Sequence, residues 1–271
     1  PDCEILISTP SAFEQISEDH MNALPNLKLI STTSVGVSWI DLEAARRRGI
    51  TVSNQRGVNA QSVAEHCMGM MFSLSQRITE ADRKVRAGGE FVSDDFEGFE
   101  LAGKTLGVIG LGDIGSKVAK MSSTIFEHIV GINKSRNPVE GVEISDLVSV
   151  LSHSDVVVVA VPANDDTEQM LSTEEIKRMK PGSLLVSISR EHVIDKEAVL
   201  KAIESGHLGG FALELDKPVS IPADDPYFQY DNVVVTPHSA AETAESTSRY
   251  QSMTVENIQA FLSGEPIRVV N

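Results

Sequence analysis

The 271-residue chain has little cysteine and little positive charge, and it has no long apolar run. Its two cysteines, Cys3 and Cys67, make no disulfide framework, so a reducing, cytoplasmic setting is expected. Cys67 lies in an apolar helical stretch and reads as buried. No run approaches the about 18 apolar residues of a membrane helix, and no signal peptide is recognisable, so no membrane partner is expected. Lys and Arg total 23 against 39 Asp and Glu, a formal net charge of -16. That balance argues against a nucleic-acid partner, whose phosphates demand clustered cations. The one basic run, Arg46-Arg47-Arg48, sits where cations suit a helix end. No metal site, repeat or low-complexity segment is read.

What the chain does have is an alternation of strand and helix. Short apolar strands are expected at residues 4–8, 27–32 and 50–54, with helices starting near Ser11 and Ser38. One long helix pattern runs from Ala60 to about Arg86, with Val63, Cys67, Met70, Met71, Leu74 and Ile78 at helical spacing. Its methionine stripe reads as core or subunit contact. Residues 87–102 read as a loop. A second strand series is expected at 105–109, 128–132, 155–161, 184–188, 210–213 and 233–235. These are continuous apolar runs, as strands buried on both faces require. Helices over 145–152, 172–179 and 196–205 separate most of them, and a last helix covers about 241–262. The second series implies a Rossmann-type doubly wound parallel sheet, and the first a smaller α/β unit. The expected division is a substrate-binding domain of 1–59 plus 243–271 and a nucleotide-binding domain of 60–242.

Within the second series, Leu106-Gly-Val-Ile-Gly-Leu-Gly-Asp-Ile-Gly115 runs from strand through Gly110-x-Gly112-x-x-Gly115 into helix. That is a dinucleotide-binding fingerprint in its proper context. Gly110 permits the tight turn, Gly112 lets backbone approach a pyrophosphate, and Gly115 lets helix pack on strand. An acidic residue for a ribose 2′-hydroxyl is expected about 20 positions on. Asn133 holds that place, followed by Lys134, Ser135 and Arg136. The absent carboxylate and the added cations favour NADP(H) over NAD(H).

Five further segments share an order and spacing. They are Ser31-Thr-Thr-Ser-Val-Gly-Val-Ser-Trp-Ile-Asp-Leu-Glu-Ala-Ala45 with Arg48-Gly-Ile-Thr-Val-Ser-Asn54, then Ser62-Val-Ala-Glu-His66, Leu185-Val-Ser-Ile-Ser-Arg190 and Thr236-Pro237-His238. Together, and out to Glu265-Pro-Ile-Arg-Val-Val-Asn271, they resemble the D-isomer-specific 2-hydroxyacid dehydrogenases. The Ser31–Gly36 and Asn133–Arg136 loops look most like the glyoxylate/hydroxypyruvate reductase branch. The resemblance implies a flavodoxin-like substrate domain, N-terminally incomplete here because two strand–helix units that precede a strand like 4–8 are missing. It implies hydride transfer between NAD(P)H and a small 2-keto or 2-hydroxy acid, and a homodimer.

Chemistry supports the roles it assigns. Arg190 offers a planar fork to the substrate carboxylate. His238 passes the proton, since an imidazole works near neutrality. The backbone N–H groups of Val35 and Gly36 give the second carboxylate contact. Asp113 and Ile114 sit in the fingerprint turn; Val161, Pro162 and Thr167 cover the adenosine side; Ile188, Ser189, Glu214 and His238 face the nicotinamide. His66, His20, His128, His153 and His207 read as structural or exposed, and His192 stands two residues from Arg190.

Three departures from the family pattern stand out. The glutamate that usually pairs with the histidine falls on Val219 by ungapped count, or on Lys217 if anchored on Pro218. Slower turnover or a changed pH optimum is the expected result, unless Asp216 or Glu214 substitutes. Glu191 replaces the glycine after the arginine, and Glu214 an aspartate. A second reading of these departures is a protein that binds the dinucleotide and has lost efficient chemistry. A third is dehydrogenation of another small anion, such as formate or phosphite.

Overall fold

The computed structural model describes residues 2–135, 137–216 and 219–271. It divides into two compact units, residues 1–59 with 242–271 and residues 60–241.

In the first unit β1 (Ile5–Ser8), β2 (Leu29–Thr32) and β3 (Thr51–Ser53) form a parallel sheet in that order. β2 is buried along its whole length. Helices α1 (Glu18–Asn22) and α2 (Leu42–Arg47) start later than Ser11 and Ser38 would suggest, because caps set their starts. Ser17 shares a hydrogen bond with His20 Nδ1 at 2.9 Å, and Asp41 Oδ1 accepts the Ala44 N–H at 2.8 Å.

The second unit holds seven parallel strands: β4 (Thr105–Ile109), β5 (His128–Ile132), β6 (Glu143–Ile144), β7 (Val156–Val159), β8 (Ser183–Ser187), β9 (Leu208–Glu214) and β10 (Val233–Thr236). Their order is β10-β9-β8-β7-β4-β5-β6. Alternate residues of the central strands feed two separate cores. Val108, Val158 and Val186 join one, and Ile109, Val157 and Leu185 join the other. That split explains the unbroken apolar runs, since both faces are covered. β6, two residues long, carries no apolar run and was not anticipated.

The expected single helix from Ala60 to Arg86 is two, α3 (Ala60–Ser75) and α4 (Ile78–Ala87). Arg77 breaks it with a left-handed φ of 51°. Its Nε and Nη2 donate to the two Glu80 carboxylate oxygens at 2.7 and 2.6 Å, and Glu80 is only 4% exposed. The Ser75 carbonyl accepts the Phe99 N–H at 2.8 Å instead of continuing the helix ladder. Met70, Met71 and Cys67 are core, and burial pushes the Cys67 thiol up to about 12. The remaining helices are α5 (Gly115–Ser122), α6 (Leu147–His153), α7 (Thr173–Lys177) and α8 (Lys196–Glu204).

The last helix, α9 (Ala244–Leu262), belongs to the first unit. Thr243 caps it by accepting the Ser246 N–H at 3.1 Å, so it begins three residues later than the apolar pattern suggests. Gln55 donates to Thr254 Oγ1 at 2.6 Å and ties it to the segment after β3.

Candidate active site

Parallel strands end together, so the second unit brings the ends of β4, β5, β7, β8, β9 and β10 to one edge of its sheet. Strand order reverses between β4 and β7, the place where open α/β sheets take ligands. Every fingerprint residue and both residues expected to do chemistry lie on these ends.

The glycines occupy their positions for distinct reasons. Gly110 has φ 100°, and a Cβ there would meet the Ala160 carbonyl oxygen at 2.7 Å. A Cβ on Gly115 would strike the Gly110 carbonyl oxygen, so only glycine lets α5 pack this close. A Cβ on Gly112 would meet nothing within 4 Å. Space above an exposed turn at a helix start fits a pyrophosphate, and the residues present fit a dinucleotide. Asp113 is exposed beside it, and Ile114 packs on the first core.

At the end of β5, Asn133 Nδ2 donates to the Asn137 carbonyl at 3.3 Å. Asn133 Oδ1 is buried and has no hydrogen-bond partner among the described residues. Lys134 reaches Asp166 at 2.9 Å, with both side chains largely in solvent. Ser135 Oγ accepts the Asn137 N–H at 3.4 Å. Arg136 lies outside the described residues. After β7, Thr167 Oγ1 donates to the Pro162 carbonyl at 2.8 Å and fixes that loop. Val161 is half-buried against the second core, Ile188 is buried, and Ser189 Oγ donates to the Val161 carbonyl.

His238 sits just after β10 with a φ of 56°, a conformation that costs free energy in a non-glycine residue and clusters at functional sites. Its Nδ1 lies 2.6 Å from the Leu215 carbonyl oxygen. A carbonyl only accepts, so Nδ1 carries a proton, which leaves Nε2 as the other ring nitrogen. Glu214, one residue earlier, grips the loop on both sides of His238. Its Oε1 accepts the Ala240 N–H at 2.8 Å, and its Oε2 accepts the Thr236 hydroxyl. His66 Nε2, from α3, lies 3.3 Å from the same Oε2 and 3.2 Å from Thr236 Oγ1. Burial alone would raise the Glu214 carboxyl, but these donors outweigh it and hold the group at about 2.

Arg190 follows β8. Its Nε lies 3.3 Å from Asp216 Oδ1, inside ion-pair range though off the hydrogen-bond line. Asp216 Oδ2 accepts the Glu191 N–H at 3.1 Å, and Glu191 Oε1 accepts the Asp216 N–H at 3.1 Å. Lys217 and Pro218 lie outside the described residues, and Val219 is 41% exposed. In the first unit, the Val35 carbonyl accepts Asn54 Nδ2 at 2.8 Å. The Gly36 carbonyl accepts Trp39 Nε1 at 3.1 Å and Ser34 Oγ at 2.7 Å. With their carbonyls held, the loop that carries both amides is fixed.

The family model described as "D-isomer specific 2-hydroxyacid dehydrogenase, NAD binding domain" matches residues 68–240. The chain is 36% identical over 267 residues to a glyoxylate reductase of Thermofilum pendens, covering 95% of this chain and 79% of the relative. It belongs to the D-isomer-specific 2-hydroxyacid dehydrogenases. Among solved structures it resembles an acyclic imino acid reductase in complex with NADPH and D-Arg, with TM-score 0.88 and 28% identity over 99% of this chain and 85% of that one. It also resembles a D-lactate dehydrogenase from Aquifex aeolicus complexed with NAD and lactic acid, with TM-score 0.82 and 28% identity over 97% and 84%. This 2-hydroxyacid dehydrogenase is thus an oxidoreductase that moves a hydride between a nicotinamide dinucleotide and a small 2-keto or 2-hydroxy acid.

Two features of the site were not legible in this dehydrogenase's sequence. The first is the Leu215 carbonyl as the partner of His238, because backbone leaves no residue-type signal. The second is His66, read as structural or exposed, which reaches the β9 end from α3. The Ser62–His66 motif was its only trace. Neither Glu214 nor Asp216 is directed to His238: Glu214 is engaged by His66, Thr236 and Ala240, and Asp216 by Arg190 and Glu191. Among the described residues, no helix is long and apolar enough to cross a membrane.

Proposed function

We propose that this dehydrogenase reduces a small 2-keto acid of the glyoxylate or hydroxypyruvate class and prefers NADP(H). The carrying observation is His238, held by Nδ1 to the Leu215 carbonyl with its loop clamped by Glu214, with β9 between its strand end and that of Arg190. Asp216 sits at Arg190 Nε and the Ser189 carbonyl accepts from Nη1 at 3.4 Å, so the substrate carboxylate is assigned to the Nη2 side of the guanidinium. The backbone N–H groups of Val35 and Gly36 are assigned a share in carboxylate binding. Imidazolium Nε2–H of His238 gives the proton to the keto oxygen in reduction, and Nε2 takes it back in oxidation. When bound, the nicotinamide supplies the hydride. Gly110, Gly112 and Gly115 with the α5 amides would hold its pyrophosphate, and Asn133, Lys134, Ser135 and Arg136 its adenosine ribose.

The cofactor preference is supported by the missing carboxylate at Asn133 and by Lys134. Its pair with Asp166 is too exposed to hold it back from a 2′-phosphate. We also propose a homodimer, on the family's pattern, in a compartment reducing enough for two free cysteines. A KM for NADPH at least tenfold below that for NADH, with glyoxylate and hydroxypyruvate, is the expected result. A strong NADH preference contradicts the cofactor assignment. A second reading is favoured by Val219 in the place of the family's glutamate: a protein that binds the cofactor with little turnover. Cofactor binding without oxidation across a keto-acid panel would establish it.

A further inference from the structure

Arg190 does not stand alone at its strand end. One carboxylate pairs with it, and a second is tied to the first. Asp216 lies 3.3 Å from its Nε, and Asp216 and Glu191 exchange backbone-to-carboxylate hydrogen bonds at 3.1 Å in each direction. The latch joins the ends of β8 and β9 and carries one positive and two negative charges. Its members reach solvent: the Arg190 side chain is 48% exposed, the Asp216 side chain 28%, and Glu191 is an exposed residue. Their field therefore acts on what approaches instead of being confined to the interior. The latch also falls where the chain departs from its family, since Glu191 replaces a glycine.

We propose that Asp216 and Glu191 determine specificity: they restrict the substrate to 2-keto acids with a single negative charge and turn away those with a second carboxylate or a phosphate. The inference rests on the reading of Arg190 as the carboxylate-binding residue. One guanidinium balances one carboxylate. With Asp216 at its Nε and the Ser189 carbonyl accepting from Nη1, the substrate's carboxylate takes the Nη2 side, and the sum over Arg190, Asp216, Glu191 and that carboxylate is two negative charges in excess. A further anion on the substrate has no cation of this latch left to meet, and like charges held close disfavour it.

Asp216 also orients Arg190, and that effect touches every 2-keto acid alike. It cancels in a ratio of specificities, whereas the charge effect does not. The test is the ratio of kcat/KM for hydroxypyruvate to kcat/KM for its phosphorylated counterpart, and for glyoxylate to oxaloacetate, in the full-length protein with saturating NADPH. The wild-type ratio is expected to exceed about 30. Asp216→Asn and Glu191→Gln keep an oxygen to accept each backbone N–H, and each is expected to lower the ratio about threefold to tenfold. Raising the salt to about 1 M compresses the wild-type ratio if charge is the cause. Comparable use of singly and doubly charged acids by the wild type overturns the proposal and leaves the reading of Arg190 standing. So does a ratio untouched by both substitutions. Failure to reduce any 2-keto acid overturns that reading and the proposal with it.

Discussion

Glu214 shows how one side chain can set the acid limit of the site. Its carboxyl is held at about 2 from its ordinary 4.5, so its contribution is fully present above pH 4.5 and is lost as pH falls through about 2. At about 1.4 kcal/mol for each pH unit, that contribution is on the order of 3 kcal/mol. Glu214→Gln is expected to lower stability near neutral pH by an amount of this order and to flatten the stability-versus-pH curve between pH 5 and about 2, measured by urea denaturation. An unchanged slope contradicts the role given to its donors. Val219→Glu is the complementary substitution. A carboxylate restored at the family glutamate's position by sequence count is expected to change kcat and move the pH optimum of keto-acid reduction. The same rate and profile would show that the Leu215 carbonyl already meets the need. Arg190 and His238 stand out in the sequence as candidates because their motifs are short and local. The contacts around them do not, because the Leu215 carbonyl that meets His238 is backbone and the His66 that meets Glu214 comes from a distant helix.

At the scale of elements, the strands were legible and the helix ends were not. A strand buried on both faces writes itself as an apolar run, as Val156–Val159 does. Helix boundaries depend on caps such as Ser17, Asp41 and Thr243, and on tertiary capture such as the hold of Phe99 on Ser75. The break between α3 and α4 depends on the Arg77–Glu80 pair. Arg77→Ala leaves the buried Glu80 carboxylate with Lys84, 3.5 Å away and partly exposed, as its remaining cation among the described residues. A loss of about 2–4 kcal/mol is expected in chemical denaturation. In the fingerprint turn, Gly112→Ala meets open space and is expected to fold with wild-type stability. Cofactor affinity should nevertheless fall at least tenfold in a nicotinamide fluorescence titration, because the methyl takes the pyrophosphate's place. Unchanged affinity would remove the cofactor from this turn.

For the whole molecule, topology does what no single motif could. Six strand ends meet at one edge of the second unit, so residues as far apart in sequence as Gly110 and His238 come to that one edge. The alternation of strand and helix made that edge legible, and the family resemblance identified the residues on it. On the proposed mechanism, His238 passes the proton during nicotinamide-dependent reduction of a small 2-keto acid. The most direct measurement is steady-state oxidation of NADPH with glyoxylate by the wild type and by His238→Gln, beside NADPH binding to both. Steady turnover by the wild type, a kcat about 10²–10⁴-fold lower in the variant, and equal NADPH affinity are expected. A wild type that binds NADPH and reduces neither glyoxylate nor hydroxypyruvate, or a variant that matches its rate, would contradict that mechanism.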